Sequence, residues 1–289
     1  MMIGLVGSPR STDLCLLKKR IEDRGHRAVF LNIREFPQYA LSGFNSPSLR
    51  FDHLDLLDFD SFYLSEVEAR NRFFRGMFDK DIWITLRERY IDFARAELHN
   101  LPFQVGLLVA LSCRRPFINS PVSFLKTGLR TWTLFRLAAA GLPTTGFVVE
   151  EGQKGNDSAY MRLRLAEDGT YDVPCFPRTL EGCVGLKVEN AEEQVRVIGL
   201  RGDGPSRSLV KTGGNVRIES SDKTTADLTE EVLKTLELET AEVRLARGSG
   251  GIAITEVLPA PPLAEFEEVT GEAVSEKVAE RLLSIGGSP

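Results

Sequence analysis

The chain has 289 residues and a mass of 32.1 kDa, with 42% hydrophobic and 27% charged side chains; this excludes wholesale disorder and, at roughly 100–200 residues per domain, suggests two domains. Its 36 basic and 41 acidic residues give a net charge of -5 and a pI near 5.5, leaving no basic surplus for a nucleic-acid backbone. No run approaches the roughly 18–20 apolar residues needed to cross a bilayer, so neither nucleic acid nor membrane is an expected partner.

The start MMIGLVGSPR leads directly into an apolar strand pattern and carries no secretory-signal features. Residues 3–7 read as that strand, followed by a helix to about residue 24, capped by Ser11 or Thr12 and stopped by Gly25. Residues 28–33 read as the next strand, the start of a parallel α/β lobe. Gly7-Ser8-Pro9 fits neither GxGxxG nor GxxxxGK[ST] and reads as a plain turn. A strand is expected over 60–64, a charged amphipathic helix over 66–98 and a buried helix over 101–113. Cys15, Cys113, Cys175 and Cys183 form no CxxC pair, and His26, His53 and His99 have no HExxH spacing. Reduced cysteines and a cytoplasmic location are therefore expected.

Farther along, a short strand and turn is expected at Phe117-Ile118-Asn119-Ser120-Pro121, then a helix over 131–140 closed by Gly141, then a strand over 144–149. Residues 161–165 and 171–173 read as hairpin arms. Strands follow over 194–200 and 208–211, and then a helix over 228–237 with Asp227 as its N-cap. The Gly-rich turn Gly248-Ser249-Gly250-Gly251 joins strands 242–246 and 252–257, and a closing amphipathic helix spans 272–283.

Three segments in order resemble the ATP-grasp ligases, in particular the RimK-like carboxylate–amine ligases. They are Asn119-Ser120-Pro121 with Leu129-Arg130-Thr131 and Ala140-Gly141-Leu142-Pro143; Val195-Arg196-Val197-Ile198-Gly199-Leu200; and Ile254-Thr255-Glu256-Val257-Leu258-Pro259 with Phe266-Glu267-Glu268-Val269-Thr270-Gly271. The resemblance implies an α/β fold, α+β in its C-terminal part. A pre-ATP-grasp lobe over 1–118 would precede an ATP-grasp domain over 119–289 whose 150–190 segment is shortened or remodelled. It also implies a reaction in which ATP phosphorylates a carboxylate and an amine or thiol attacks the acyl phosphate, with Mg²⁺ bridging the phosphates.

Matched residue by residue, the machinery is incomplete. Arg130 stands at the position of the first phosphate lysine, with Lys126 as a possible substitute. Lys187 and Arg178 are candidates for the second, and Lys154 also lies in that stretch; none has the expected strand-lysine-proline context. Glu256 keeps a metal-ligand position, but Leu258 stands where Asn is expected, and Arg244, twelve residues before Glu256, where Asp is expected. Arg244 is expected to pair with Glu256 across the hairpin; Glu239 and Glu242 fall at no matching position. Arg196 matches a family arginine and is the one candidate for direct contact with phosphate or substrate, or else a sheet-face cation; Lys211 with Asn215 resembles a substrate loop.

Two losses at the metal site favour a degenerate homologue that binds a peptide, protein partner or small anion, with ATP and Mg²⁺ binding weak or absent. The alternatives are an active ATP-dependent ligase and a structural or assembly protein without nucleotide. Relatives of this fold suggest a homo-oligomer.

Overall fold

The computed structural model describes residues 1–32, 50–51, 54–65, 106–128, 130–150, 160–165, 169–174, 183–187, 191–249 and 251–287. The expected helix over 66–98, and the start of that over 101–113, lie outside them; 106–112 are helical.

The N-terminal part is a parallel sheet of order β2-β1-β5-β6, with β1 Met2–Val6, β2 Arg27–Leu31, β5 Ser61–Leu64 and β6 Phe117–Ile118. A two-residue antiparallel pair, β3 Arg50–Phe51 and β4 Leu54–Asp55, precedes β5. Helix α1, Thr12–Glu22, crosses between β1 and β2, as the strand–helix–strand pattern predicts. Ser11 is its N-cap, accepting a hydrogen bond from the Leu14 N–H at 3.4 Å.

Two short helices follow, α2 Pro121–Thr127 and α3 Arg130–Ala139. Ser120 caps α2, with Pro121 at the position where a missing N–H costs nothing. After α3 the chain turns through Gly141, whose φ of +80° an L side chain adopts only with strain. Strand β7, Gly146–Glu150, pairs antiparallel with β10, Cys183–Lys187. The expected hairpin is present as β8, Tyr160–Leu165, and β9, Gly169–Pro174.

The C-terminal sheet is antiparallel, of order β13-β12-β11-β14-β15: β11 Ala191–Leu200, β12 Arg207–Thr212, β13 Asn215–Ser220, β14 Thr240–Gly248 and β15 Gly251–Leu258. Between β13 and β14 lies α4, Lys223–Thr235. It begins five residues before the expected start, and its cap is Asp222, not Asp227: the Asp222 carboxylate accepts from the Thr225 N–H at 2.7 Å. The chain closes with α5, Leu263–Thr270, and α6, Val274–Gly286.

Alternation along β11 and β14 gives the sheet two different faces. Val195, Val197, Val243 and Leu245 point to one side, where Leu228, Val232 and Leu233 of α4 and Leu134 and Leu137 of α3 cover them. On the other side Ile198 and Leu200 join Leu263, Phe266, Val278 and Leu282 of α5 and α6. The same core contains Ile3, Leu5, Leu14 and Leu17, so the closing helices bury one apolar stripe against both the sheet and the N-terminal layer. Beyond Ile198 and Leu200 that second face becomes polar, and there the candidate site begins.

Candidate functional site

Strand register builds the site. Arg196 of β11 lies opposite Arg244 of β14, and Arg244 lies opposite Glu256 of β15. Glu242, two residues before Arg244, shares its face. A bulge follows immediately: Leu245 pairs with Ile254, so Thr255 is the extra residue on β15, and its hydroxyl donates to the Arg244 carbonyl at 3.1 Å.

The side chains form one continuous row of alternating charge. Arg196 grips Glu242 with two donors, Nε at 2.8 Å and Nη2 at 3.2 Å, and its Nη1 donates to Glu265 of α5 at 2.7 Å. Arg244 Nε donates to the same Glu242 at 2.6 Å, and its Nη1 to Glu256 at 2.5 Å. Glu242 is fully buried, whereas the side chains of Arg196 and Arg244 are 28% and 37% exposed. A carboxylate taken out of water this completely requires charged donors on both oxygens, and the two guanidiniums supply them.

The charged state of both arginines is reinforced. For Arg196, the hydrogen bonds to Glu242 outweigh partial burial and hold the proton more firmly than usual. For Arg244, burial works against the charge, but Glu242 and Glu256 together exceed it and the net shift is upward.

The resemblance places a Mg²⁺ site at these strand positions, and the residues present do not fit one. Mg²⁺ demands near-octahedral oxygen coordination at about 2.0–2.1 Å. The Glu242 oxygens are already taken by three N–H donors, and its cross-strand neighbour, Leu258, offers no oxygen. At an effective dielectric of about 20, a dication roughly 4 Å from the Arg244 guanidinium meets about 8 kcal/mol of repulsion, twice the value for two unit charges. Among the described residues no group of three or more His, Cys, Asp or Glu side chains is arranged to hold a metal ion.

Of the other expected site residues, those whose side chains are described, Lys126, Lys211 and Asn215, do not join this row. Lys126 is exposed near the end of α2, its Nζ 6.0 Å from the Trp132 ring centroid, a surface cation–π contact. Arg130 opens α3 and Lys187 ends β10, opposite Gly146; both side chains lie outside the described residues, as does the whole of Arg178 and Lys154. Lys211 is exposed on β12 opposite Gln194 and Val216, and Asn215 sits at the β12–β13 turn opposite Thr212. An open groove of about 610 Å³ lies elsewhere, between the turn after β11 and α6, and includes Arg201, Asp203, Glu239, Lys277 and Arg281. Its cations are paired, Arg281 with Glu239 at 2.7 Å and Lys277 with Asp203 at 3.8 Å, and it contains no member of the Arg196–Glu256 row.

Two residues of the row, Glu242 and Glu265, were not expected. The alternation of Glu242 and Arg244 along β14 could have exposed the first. Nothing local marks the second, because it reaches Arg196 from a helix 69 residues away in sequence.

No family model matches the chain, and no curated protein matches it. Solved structures do. The ATP-grasp ligase PsnB complexed with minimal precursor, Mg and ADP superposes with a TM-score of 0.73 at 15% identity, over 99% of this chain and 98% of that one. The macrocyclase MdnC bound with precursor peptide MdnA, from Microcystis aeruginosa MRC, gives 0.65 at 13% identity, over 98% and 100%. A RimK domain protein ATP-grasp from Sphaerobacter thermophilus DSM 20745 gives 0.57 at 15% identity, over 98% and 100%. The likeness runs end to end on both sides of each comparison, through the parallel N-terminal layer and the antiparallel C-terminal sheet alike. The chain therefore has the ATP-grasp fold.

Proposed function

We propose that the chain is a degenerate ATP-grasp homologue that uses the fold to bind a peptide, without ordinary Mg·ATP turnover. The observation that carries this reading is Arg244, held between Glu242 and Glu256 where the resemblance calls for an acidic metal ligand. A peptide is favoured over the other ligands considered, a protein partner or a small anion, because PsnB and MdnC, similar along their whole length, are described in complex with precursor peptides. The reading keeps the division into 1–118 and 119–289, and a cytoplasmic location is part of it. Among the described residues no helix is long and apolar enough to cross a membrane.

The competing reading is an active ligase, favoured by the shared fold and by Glu256. Calorimetry with ATP and Mg²⁺, together with an assay of ADP release, separates the two. The degenerate reading expects neither heat of micromolar binding nor ADP release; magnesium-dependent micromolar binding or turnover would overturn it.

A further inference from the structure

We infer that Arg244 is the resident cation of this charged row: its guanidinium takes the place of a divalent metal and bars one from the Glu242 and Glu256 carboxylates. The inference rests on the non-turnover reading and gives it a physical cause.

Three observations carry it. First, the position is imposed by the backbone. Arg244 and Glu256 are direct cross-strand partners, and the bulge at Thr255 follows at once, with the Thr255 hydroxyl bonded to the Arg244 carbonyl at 3.1 Å. Second, Arg244 spends its donors on two different carboxylates, at 2.6 Å and 2.5 Å, which is the bridging task a metal would perform between them. Third, Glu242 is fully buried and Arg196 fixes it from the opposite side, so the carboxylate stays beside Arg244, and the Arg244 guanidinium is what stands between it and Glu256. A guanidinium stays charged across the whole accessible pH range. Its charge therefore does not depend on free Mg²⁺, and neither should any ligand binding at this row.

The experiment is a Mn²⁺ titration of the full chain without nucleotide, with free Mn²⁺ read by electron paramagnetic resonance. The proteins are wild type, Arg244→Ala, Arg244→Gln, Arg244→Ala with Glu256→Gln, and Glu256→Gln alone. Wild type is expected to leave Mn²⁺ free. Removing the guanidinium should uncover a site on Glu242 and Glu256, so that Arg244→Ala binds one Mn²⁺ per chain at least about tenfold more tightly than wild type. Adding Glu256→Gln should abolish that gain. Arg244→Gln removes the charge but keeps a donor for Glu242, and it serves if Arg244→Ala does not fold.

A wild-type chain that binds one Mn²⁺, lost on Glu256→Gln, would overturn the inference. So would a folded Arg244→Ala or Arg244→Gln chain that binds Mn²⁺ no better than wild type. The two proposals fail separately. Absent Mg·ATP binding with no gain of Mn²⁺ in the variants removes only this inference, whereas Mg·ATP turnover by wild type removes the reading beneath it.

Discussion

Asn119 and Thr240 exchange hydrogen bonds in both directions. The Asn119 Nδ2 donates to the Thr240 carbonyl at 2.7 Å, and its Oδ1 accepts from the Thr240 N–H at 3.1 Å. The same amide donates to the Pro259 carbonyl at 2.6 Å and accepts from the Glu239 N–H at 2.7 Å. One side chain, 1% exposed, thus joins the end of β6 to the start of β14 and the end of β15. It does so from a left-handed backbone, φ +59°, which Asn tolerates better than most residues. Asn119→Ala would orphan two carbonyls and two N–H groups, at about 1–3 kcal/mol for each buried group left unmade. The expected loss is at least about 3 kcal/mol in urea unfolding, partial rehydration included. Asn119→Gly relieves the backbone but not the lost bonds, so it should be nearly as damaging. A Gly variant as stable as wild type would show that the dihedral, not the amide, matters.

Glu242 and Glu256 both contact Arg244 but stand in different surroundings. Glu242 is completely buried between two guanidiniums, while the Glu256 side chain is 24% exposed. Glu242→Gln leaves two cations facing an uncharged amide, and the expected cost is about 3 kcal/mol, the lower end for a broken buried pair because both arginines reach solvent. Glu256→Gln should cost about 1 kcal/mol or less, as for a partly exposed pair. Denaturation midpoints of the two variants test the ranking. Equal losses would mean that burial does not set the energetics of the row.

The Arg244–Glu256 pair was legible in the sequence because it needs only a hairpin and a count of residues between its strands. The flanking members were not. Glu242 matched no expected ligand position, although its spacing of two from Arg244 puts both on one face of any strand. Glu265 arrives on α5, whose placement depends on Leu263 and Phe266 packing against Ile198 and the N-terminal layer. The apolar stripe of α6 was equally plain in the sequence, with Val274, Val278 and Leu282 on one side, yet nothing local revealed that its partners include Leu14 and Leu17 of α1. Periodicity identifies a face to be buried; long-range packing decides against what.

Gly199 shows how closely α4 lies on the sheet. A Cβ built there would stand 2.5 Å from Thr229 Cγ2 and 3.1 Å from Leu233 Cδ1. Thr229 cannot rotate away without loss, because its hydroxyl donates to the Thr225 carbonyl at 2.7 Å. Gly199→Ala is therefore expected to cost about 1–3 kcal/mol through overpacking. Thr229→Ser removes the obstructing methyl and keeps the hydroxyl, so the double variant should recover part of that loss. Failure of the double variant to recover any stability would place the strain elsewhere.

Asp222 offers a test in pH. Its carboxyl is held below the usual range first by the hydrogen bond from the Thr225 N–H, with partial burial opposing and Arg247, at 3.0 Å, assisting. For an acid whose pKa is lowered by folding, the folded state binds its proton less tightly than the unfolded chain. The stabilisation is then fully present above the unfolded value of 3.8 and disappears as the pH falls through the lower, folded one. At neutral pH, Asp222→Ala should cost about 0.5–2 kcal/mol, the usual range for a lost helix N-cap. Asp222→Asn, which can still cap, should cost less. Urea midpoints of wild type and Asp222→Ala should stay apart by a constant amount from pH 7 to pH 5 and then converge below about pH 4. A gap that persists undiminished at pH 2 would mean that the ionised carboxylate is not what holds the first turn of α4.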